Sequence, residues 1–181
     1  MNTYDVCIVG AGVVGCAIAR ELLQRRWGAP LRVVVIEQHE RVAEETSGRN
    51  SGVLHSGIHE QPGSLKGQLA REGSALAVSY ALAHGIPLLR TGMVIAISWE
   101  DVRRGLWREV STLRRLLVNA RKTRIRISFV TPSGLRELEP NLRSCCGIVI
   151  PDVSVIDSLA FVESLRTDSE ATGAEFAFNN R

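Results

Sequence analysis

No apolar run in this 181-residue sequence approaches the roughly 18 residues that a membrane-spanning helix needs, which excludes such a helix and leaves room only for peripheral membrane contact. Lysine is nearly missing, with Lys66 and Lys122 alone, and the net charge of +3 rests on arginines set against 19 acidic residues. That balance, without aromatic residues interleaved among the basic ones, excludes nucleic acid as an expected partner. The four cysteines, Cys7, Cys16, Cys145 and Cys146, have neither C-x-x-C spacing nor the density of a disulfide scaffold, so they read as small, buried, reduced thiols, and no metal site is expected. There is no internal repeat and no low-complexity linker. Nor does a charged segment followed by an apolar one precede the strand-like "YDVCIVG", so the expectation is a protein that starts life in the cytosol.

What the sequence does have is 45% hydrophobic residues, enough to fill a core. Val6 to Val9 form a continuous apolar run suited to a strand buried on both faces, and "LRVVVIE" forms a second. Between them Val14, Ile18 and Leu22 recur every four residues, predicting a helix with one apolar stripe and hence a right-handed βαβ unit. Further on, Leu65, Leu69, Leu76 and Tyr80 share a helical face that stops near Gly85 and Pro87. "IPLLRTGMVIAIS" reads as strand with a turn at Thr91 and Gly92, and Val102, Leu106, Val110, Leu113 and Leu117 predict one amphipathic helix from Asp101 to about Asn119. Ile125, Ile127 and Phe129 alternate as a half-buried strand, "SGLRELEP" is a short helix, and "GIVIPD" is another strand. Asp157 is placed to cap a helix carrying Leu159, Val162 and Leu165, and "AEFAF" alternates as a last strand.

Chemistry concentrates near the start. "GAGVVG" sets Gly10, Gly12 and Gly15 in the G-x-G-x-x-G pattern, after a strand and opening a helix, as a dinucleotide fold requires. Gly10 permits the tight turn, Gly12 lets backbone approach a pyrophosphate, Gly15 lets helix pack on strand, and the helix N-terminus offers N–H groups. Glu37 closes the second strand, where its carboxylate accepts hydrogen bonds from ribose hydroxyls and repels a 2′-phosphate, disfavouring NADP. NAD and FAD share this fingerprint. The loop "TSGRNSGVLHSG", Thr46 to Gly57, is rich in short polar side chains and glycine, and favours FAD, whose ribityl chain and ring extend beyond the pyrophosphate.

The segments "DVCIVGAGVVGCAIARELLQRR", "VIEQHERVAEETSGRNSGVLHSGIHEQPGSLKGQLAREG", "GIPLLRTG" and "LRELEPNLR…VID" together resemble the N-terminal part of the D-amino-acid-oxidase-like FAD-dependent oxidoreductases. Within that family the L-2-hydroxyglutarate oxidases and dehydrogenases look most similar, followed by glycerol-3-phosphate dehydrogenases. The resemblance implies an α/β chain: a Rossmann-like FAD-binding domain with a parallel βαβ sheet, interrupted by part of an α+β substrate domain. Residues 1–87 would form the FAD-binding segment, 88–153 the partial substrate domain, and 154–181 the return to the FAD-binding sheet, with a C-terminal portion missing. It implies FAD held by Gly10, Gly12, Val14, Gly15, Glu37 and Gln38, with Thr46, Ser47, Arg49, Asn50, Ser51 and Gly52 reaching the ribityl and flavin region. It further implies a 2-hydroxy-acid substrate giving hydride to the flavin, and oxygen or a membrane quinone taking the electrons.

His55 is the catalytic candidate, because histidine changes charge near neutrality and this one would lie by the ring; a histidine hydrogen-bonded for structure is the competing reading. His59 stands where relatives often carry an aromatic residue, and His39 and His84 read as surface residues. The alternative to an enzyme is a non-catalytic remnant or split-gene fragment that cannot hold FAD without a complementing chain, its first strand left with an open edge.

Overall fold

The computed structural model describes residues 3–25, 27–105 and 107–180, and of residues 107 and 108 the backbone only. In chain order the elements are β1 (Val6–Val9), α1 (Val13–Gln24), β2 (Val33–Ile36), β3 (Val53–Leu54), α2 (Leu65–Ala83), β4 (Leu88–Leu89), β5 (Met93–Ser98) and α3 (Trp99–Arg104). There follow α4 (Trp107–Thr123), β6 (Ser128–Val130), α5 (Pro132–Leu138), β7 (Ser144–Ile150), β8 (Ser154–Ile156), α6 (Ser158–Ala171) and β9 (Glu175–Ala177). Two compact units result: Met1–Gly52 with Ala81–Pro87 and Ile156–Arg181, and Val53–Tyr80 with Leu88–Val155. Residues 53–80, kept with the nucleotide-binding segment in the sequence reading, cluster with the second unit.

The first unit is built on a parallel sheet of order β1-β2-β9, registered Val6 to Val33 and Val35 to Phe176. The predicted βαβ unit and the closing "AEFAF" strand are both present. Asp157 caps α6 as expected, its Oδ1 accepting the Ala160 N–H at 2.9 Å. Val33 and Val35 of the central strand are fully buried, each contributing about 1.5–3 kcal/mol by leaving water.

The apolar stripe of α1 is a correction. Val14 is 67% exposed and Ile18 45%, whereas the buried residues are Gly15, Cys16 and Ala19. Small side chains win that face because α1 lies close against its neighbours: the Ser169 hydroxyl of α6 donates to the Cys16 carbonyl at 3.3 Å, and Arg20 pairs with Asp168 at 2.9 Å. Strand β1 is likewise not buried on both faces. It is the edge of the described sheet, and Cys7 and Val9 are exposed.

The cysteines divide accordingly: Cys16 is buried, Cys145 and Cys146 are half-buried, and Cys7 is exposed, against the expectation of burial. Burial pushes the Cys16 thiol up to about 12, so it carries almost no thiolate at neutral pH. Under native conditions a thiol reagent is therefore expected to modify Cys7 and spare Cys16, read by mass spectrometry of the tryptic peptides. Equal labelling of the two would contradict this packing.

The second unit has an antiparallel sheet of order β5-β7-β6, registered Met93 to Ile150 and Phe129 to Ile148, and a small sheet of order β3-β8-β4. Ile58, Leu116, Ala120, Ile148, Ile150 and Val153 form its core. The buried Asn119 amide donates to the Ile58 and Glu60 carbonyls at 3.0 and 3.1 Å, fastening the loop after β3 to α4.

Three sequence expectations are revised here. The single helix from Asp101 is two, because Ser98 and Asp101 form a capping box that starts α3 and Gly105, at φ +98°, ends it; Leu106 lies outside the described residues. Strand β6 covers only Ser128–Val130, with Phe129 70% exposed. Leu65, Leu69 and Leu76 of α2 are exposed, and the alanines Ala77 and Ala81 are buried instead. No helix among the described residues is long and apolar enough to cross a membrane.

Candidate functional site

The turn between β1 and α1 is held from three directions. Gly10, at φ +98°, occupies backbone space that L side chains rarely adopt, and its N–H donates to the Ile36 carbonyl at 2.8 Å. A Cβ on Gly15 would fall 2.0 Å from the Gly10 carbonyl oxygen, so only glycine allows α1 to start this close to the turn. The Gly12 position is open except toward Ser47, whose hydroxyl would lie 2.8 Å from a Cβ there.

Glu37 follows β2 directly and is 9% exposed. Its Oε2 accepts the Ala11 N–H at 2.7 Å and its Oε1 the His39 N–H at 3.0 Å. Burial alone would raise the carboxyl, but the amides of Ala11, His39 and Gln38 outweigh it and hold the group below its ordinary value. Glu37 is thus a fixed anion at neutral pH, and with roughly four acceptor positions on a carboxylate it keeps capacity for ligand hydroxyls.

Ser47 comes from the loop after β2 and accepts the Val13 N–H at 3.0 Å, serving the first turn of α1, where Gly12 supplies no side-chain cap. Gly12, Glu37, Ala43, Glu44, Glu45, Thr46 and Ser47 enclose a cavity of about 130 Å³. That is below the roughly 300 Å³ that encloses a drug-sized ligand, so it has room for no more than one end of such a molecule. Three carboxylates line it. They favour neutral hydroxyl groups and oppose a phosphate at that spot.

Among the remaining loop residues, Asn50 is internally committed. Its Nδ2 donates to the Thr46 and Ser47 carbonyls, and its Oδ1 accepts from the Gly52 N–H at 2.7 Å and the Ser158 hydroxyl at 2.8 Å. Gly52 is buried at φ +65°, and a Cβ there would lie 2.2 Å from the Ile156 carbonyl oxygen. Thr46, Arg49 and Ser51 are exposed, as are Val14 and Gln38. The structure therefore brings Gly10, Gly12, Gly15, Glu37, Thr46 and Ser47 together. Ala11, His39, Ala43, Glu44 and Glu45 join them without having been singled out by the sequence. An amide of any residue can donate, so Ala11 and His39 left no signal, and Ala43 bends at φ 60° without being glycine.

His55 and His59 belong to the second unit, both exposed. Loss of water, then the positive charge of His55 and Arg115, hold the His59 imidazole below its ordinary value. His39, read as a surface residue, is half-buried, with Nε2 2.8 Å from Glu45 Oε1. His84 is exposed and lies 3.2 Å from Asp168.

Residues 5–181 match the family described as FAD dependent oxidoreductase. The chain belongs to that family. Family relatives include the mitochondrial L-2-hydroxyglutarate dehydrogenase of Nematostella vectensis, 35% identical over 168 residues, covering 90% of this chain and 35% of the relative. The FAD-bound L-alpha-glycerophosphate oxidase of Mycoplasma pneumoniae has a TM-score of 0.76 at 29% identity, covering 99% of this chain and 45% of that one. Glycine oxidase from Geobacillus kaustophilus has a TM-score of 0.78 at 25% identity, covering 97% and 46%. The chain thus spans between 35% and 46% of the length of these relatives. It is α/β, its parallel βαβ sheet and antiparallel sheets corresponding to the N-terminal part of the FAD-dependent oxidases.

Proposed function

We propose that this chain holds the adenosine diphosphate end of FAD, and that the protein it represents oxidises a 2-hydroxy acid of the L-2-hydroxyglutarate type. The observation that carries this is the buried Glu37, pinned by two backbone amides beside the glycine turn. In this reading Glu37 accepts from ribose hydroxyls, while Gly12 leaves room for backbone to approach the pyrophosphate at the N-terminus of α1. Val14 and Gln38 flank the dinucleotide, and the loop through Thr46, Ser47, Arg49, Asn50, Ser51 and Gly52 extends toward the ribityl chain, Asn50 setting its shape. FAD, when bound, supplies the acceptor for hydride from the carbon bearing the hydroxyl. His55 takes the hydroxyl proton, and oxygen or a quinone is the electron acceptor.

Purified chain titrated with FAD tests the first step: quenching of flavin fluorescence with saturation supports the reading, and an unchanged signal rejects it for this chain alone. The exposed Val9, Val14 and Ile18 motivate the competing reading of a fragment that needs a complementing chain. That reading requires binding to appear only when the remainder of a relative is added in trans. For His55, replacement by Ala in a flavin-loaded protein is expected to lower turnover by about 100-fold or more, the scale of general-base catalysis. Unchanged turnover would leave it a structural histidine.

A further inference from the structure

A second cavity lies wholly within the second unit and has a different chemistry from the first. Its volume is about 540 Å³, the size range of small-molecule sites, and Arg71, Arg90, Arg124 and Arg126 line it with Asp152 as the only acid. Ser56 also lines it, is 5% exposed, and its Oγ is buried without any hydrogen-bond partner. A buried hydroxyl left unpaired in a cavity wall costs stability unless a ligand or water completes it. His55, next in sequence, is not among the lining residues.

The four guanidinium groups are held differently. Arg71 donates from Nη1 to the Thr123 carbonyl at 2.7 Å, and Arg126 forms a two-pronged pair with Asp152, Nε to Oδ2 at 3.0 Å. Arg90 and Arg124 have no side-chain hydrogen bond or ion pair among the described residues. Arg124 also sits at φ 57°, just past the end of α4, where glycine is the usual residue. We infer that this cavity binds a small organic anion through an oxyanion group, phosphate or carboxylate, with Arg90 and Arg124 supplying the charge and Ser56 the buried hydroxyl. Arginine forks match the paired oxygens of either group, and the single carboxylate present is already neutralised by Arg126. This site does not depend on the FAD reading.

Calorimetric titration of the purified 181-residue chain with inorganic phosphate, and separately with succinate, tests it. Saturable one-to-one binding of either probe is expected, the responding probe telling phosphate from carboxylate. The double variant Arg90→Gln/Arg124→Gln should weaken binding by about 10-fold or more, and Ser56→Ala by a few-fold without loss of folding stability. Arg103→Gln/Arg121→Gln, removing equal charge from exposed positions elsewhere in the unit, should leave it unchanged. Absence of saturable binding of both probes, or an equal loss from the Arg103/Arg121 pair, would overturn the inference. Because Arg90 and Arg124 are exposed and make no internal bond, their replacement does not confuse binding with unfolding.

Discussion

Replacing Gly15 by alanine is expected to destabilise the first unit by about 3 kcal/mol, the upper part of the range for forcing extra atoms into a packed interior. The added Cβ would lie 2.0 Å from the Gly10 carbonyl oxygen and 3.3 Å from the Ile8 side chain. The closer partner is backbone of the turn that α1 must pack against, so it cannot swing away as a flexible side chain would. Relief requires α1 to move off β1, which weakens the contact of Cys16 and Ala19 with their neighbours. Gly28 is the matched control: nothing lies within 4 Å of a Cβ there and its φ is ordinary, so Gly28→Ala should fall within about 0.5 kcal/mol of the parent. Urea unfolding of the two variants against the parent measures the difference. Equal midpoints for the two would mean that α1 does not sit on the turn as described.

That glycine is where the sequence spoke most clearly, and the reason is physical. A tight turn, a close helix and a strand leave few residue types that fit, so Gly10, Gly12 and Gly15 could be read from spacing alone. The same holds for Asp157 at the start of α6 and Gly92, at φ +66°, before β5, where one atom or one dihedral decides the choice. The helix faces were misread for the opposite reason. Periodicity reports where large apolar residues recur, but α1 and α2 bury small ones, Gly15, Cys16, Ala19, Ala77 and Ala81, and leave Val14, Leu65 and Leu76 exposed. Hydrophobicity counts surface area, whereas close helix packing selects for the absence of bulk. The break at Gly105 was hidden too, because apolar spacing continued across it.

The candidate site was legible in its glycines and its acid, and illegible in what holds the acid. Nothing about alanine at position 11 or histidine at position 39 announces a backbone donor. The partners of Glu37 follow from the path of two loops. The role of Ser47 as a cap on α1, 34 residues away, is likewise a consequence of tertiary structure. In the second unit the four arginines of the cavity beside Ser56 come from α2, from the segment before β5, and from the segment after α4, so no local pattern joined them.

The second large effect is expected at Glu37, and its pH dependence gives it a distinct signature. Glutamine keeps the shape and one acceptor oxygen but turns an N–H₂ group toward one of the two amides that Glu37 now satisfies. Glu37→Gln should therefore cost about 1–3 kcal/mol of stability, the penalty for a buried donor left unpaired. Under the proposed ribose contact it should also weaken FAD binding by about 10-fold or more, because the ribose hydroxyls would lose a charged acceptor. Because the folded carboxyl titrates below its ordinary 4.5, the unfolded chain binds the extra proton first as pH falls. The stabilisation from the charged form is thus fully present above the unfolded value and is lost as pH drops through the folded one. Subtracting the Glu37→Gln stability from that of the parent cancels the other titrating groups, so the difference should be flat from neutrality to about pH 5.5 and shrink at more acid pH. Urea unfolding of both proteins across that range provides the measurement. A difference that stays constant into the acid region would mean that Glu37 is not held as an anion by the Ala11 and His39 amides, and the proposed ribose contact would lose its physical basis.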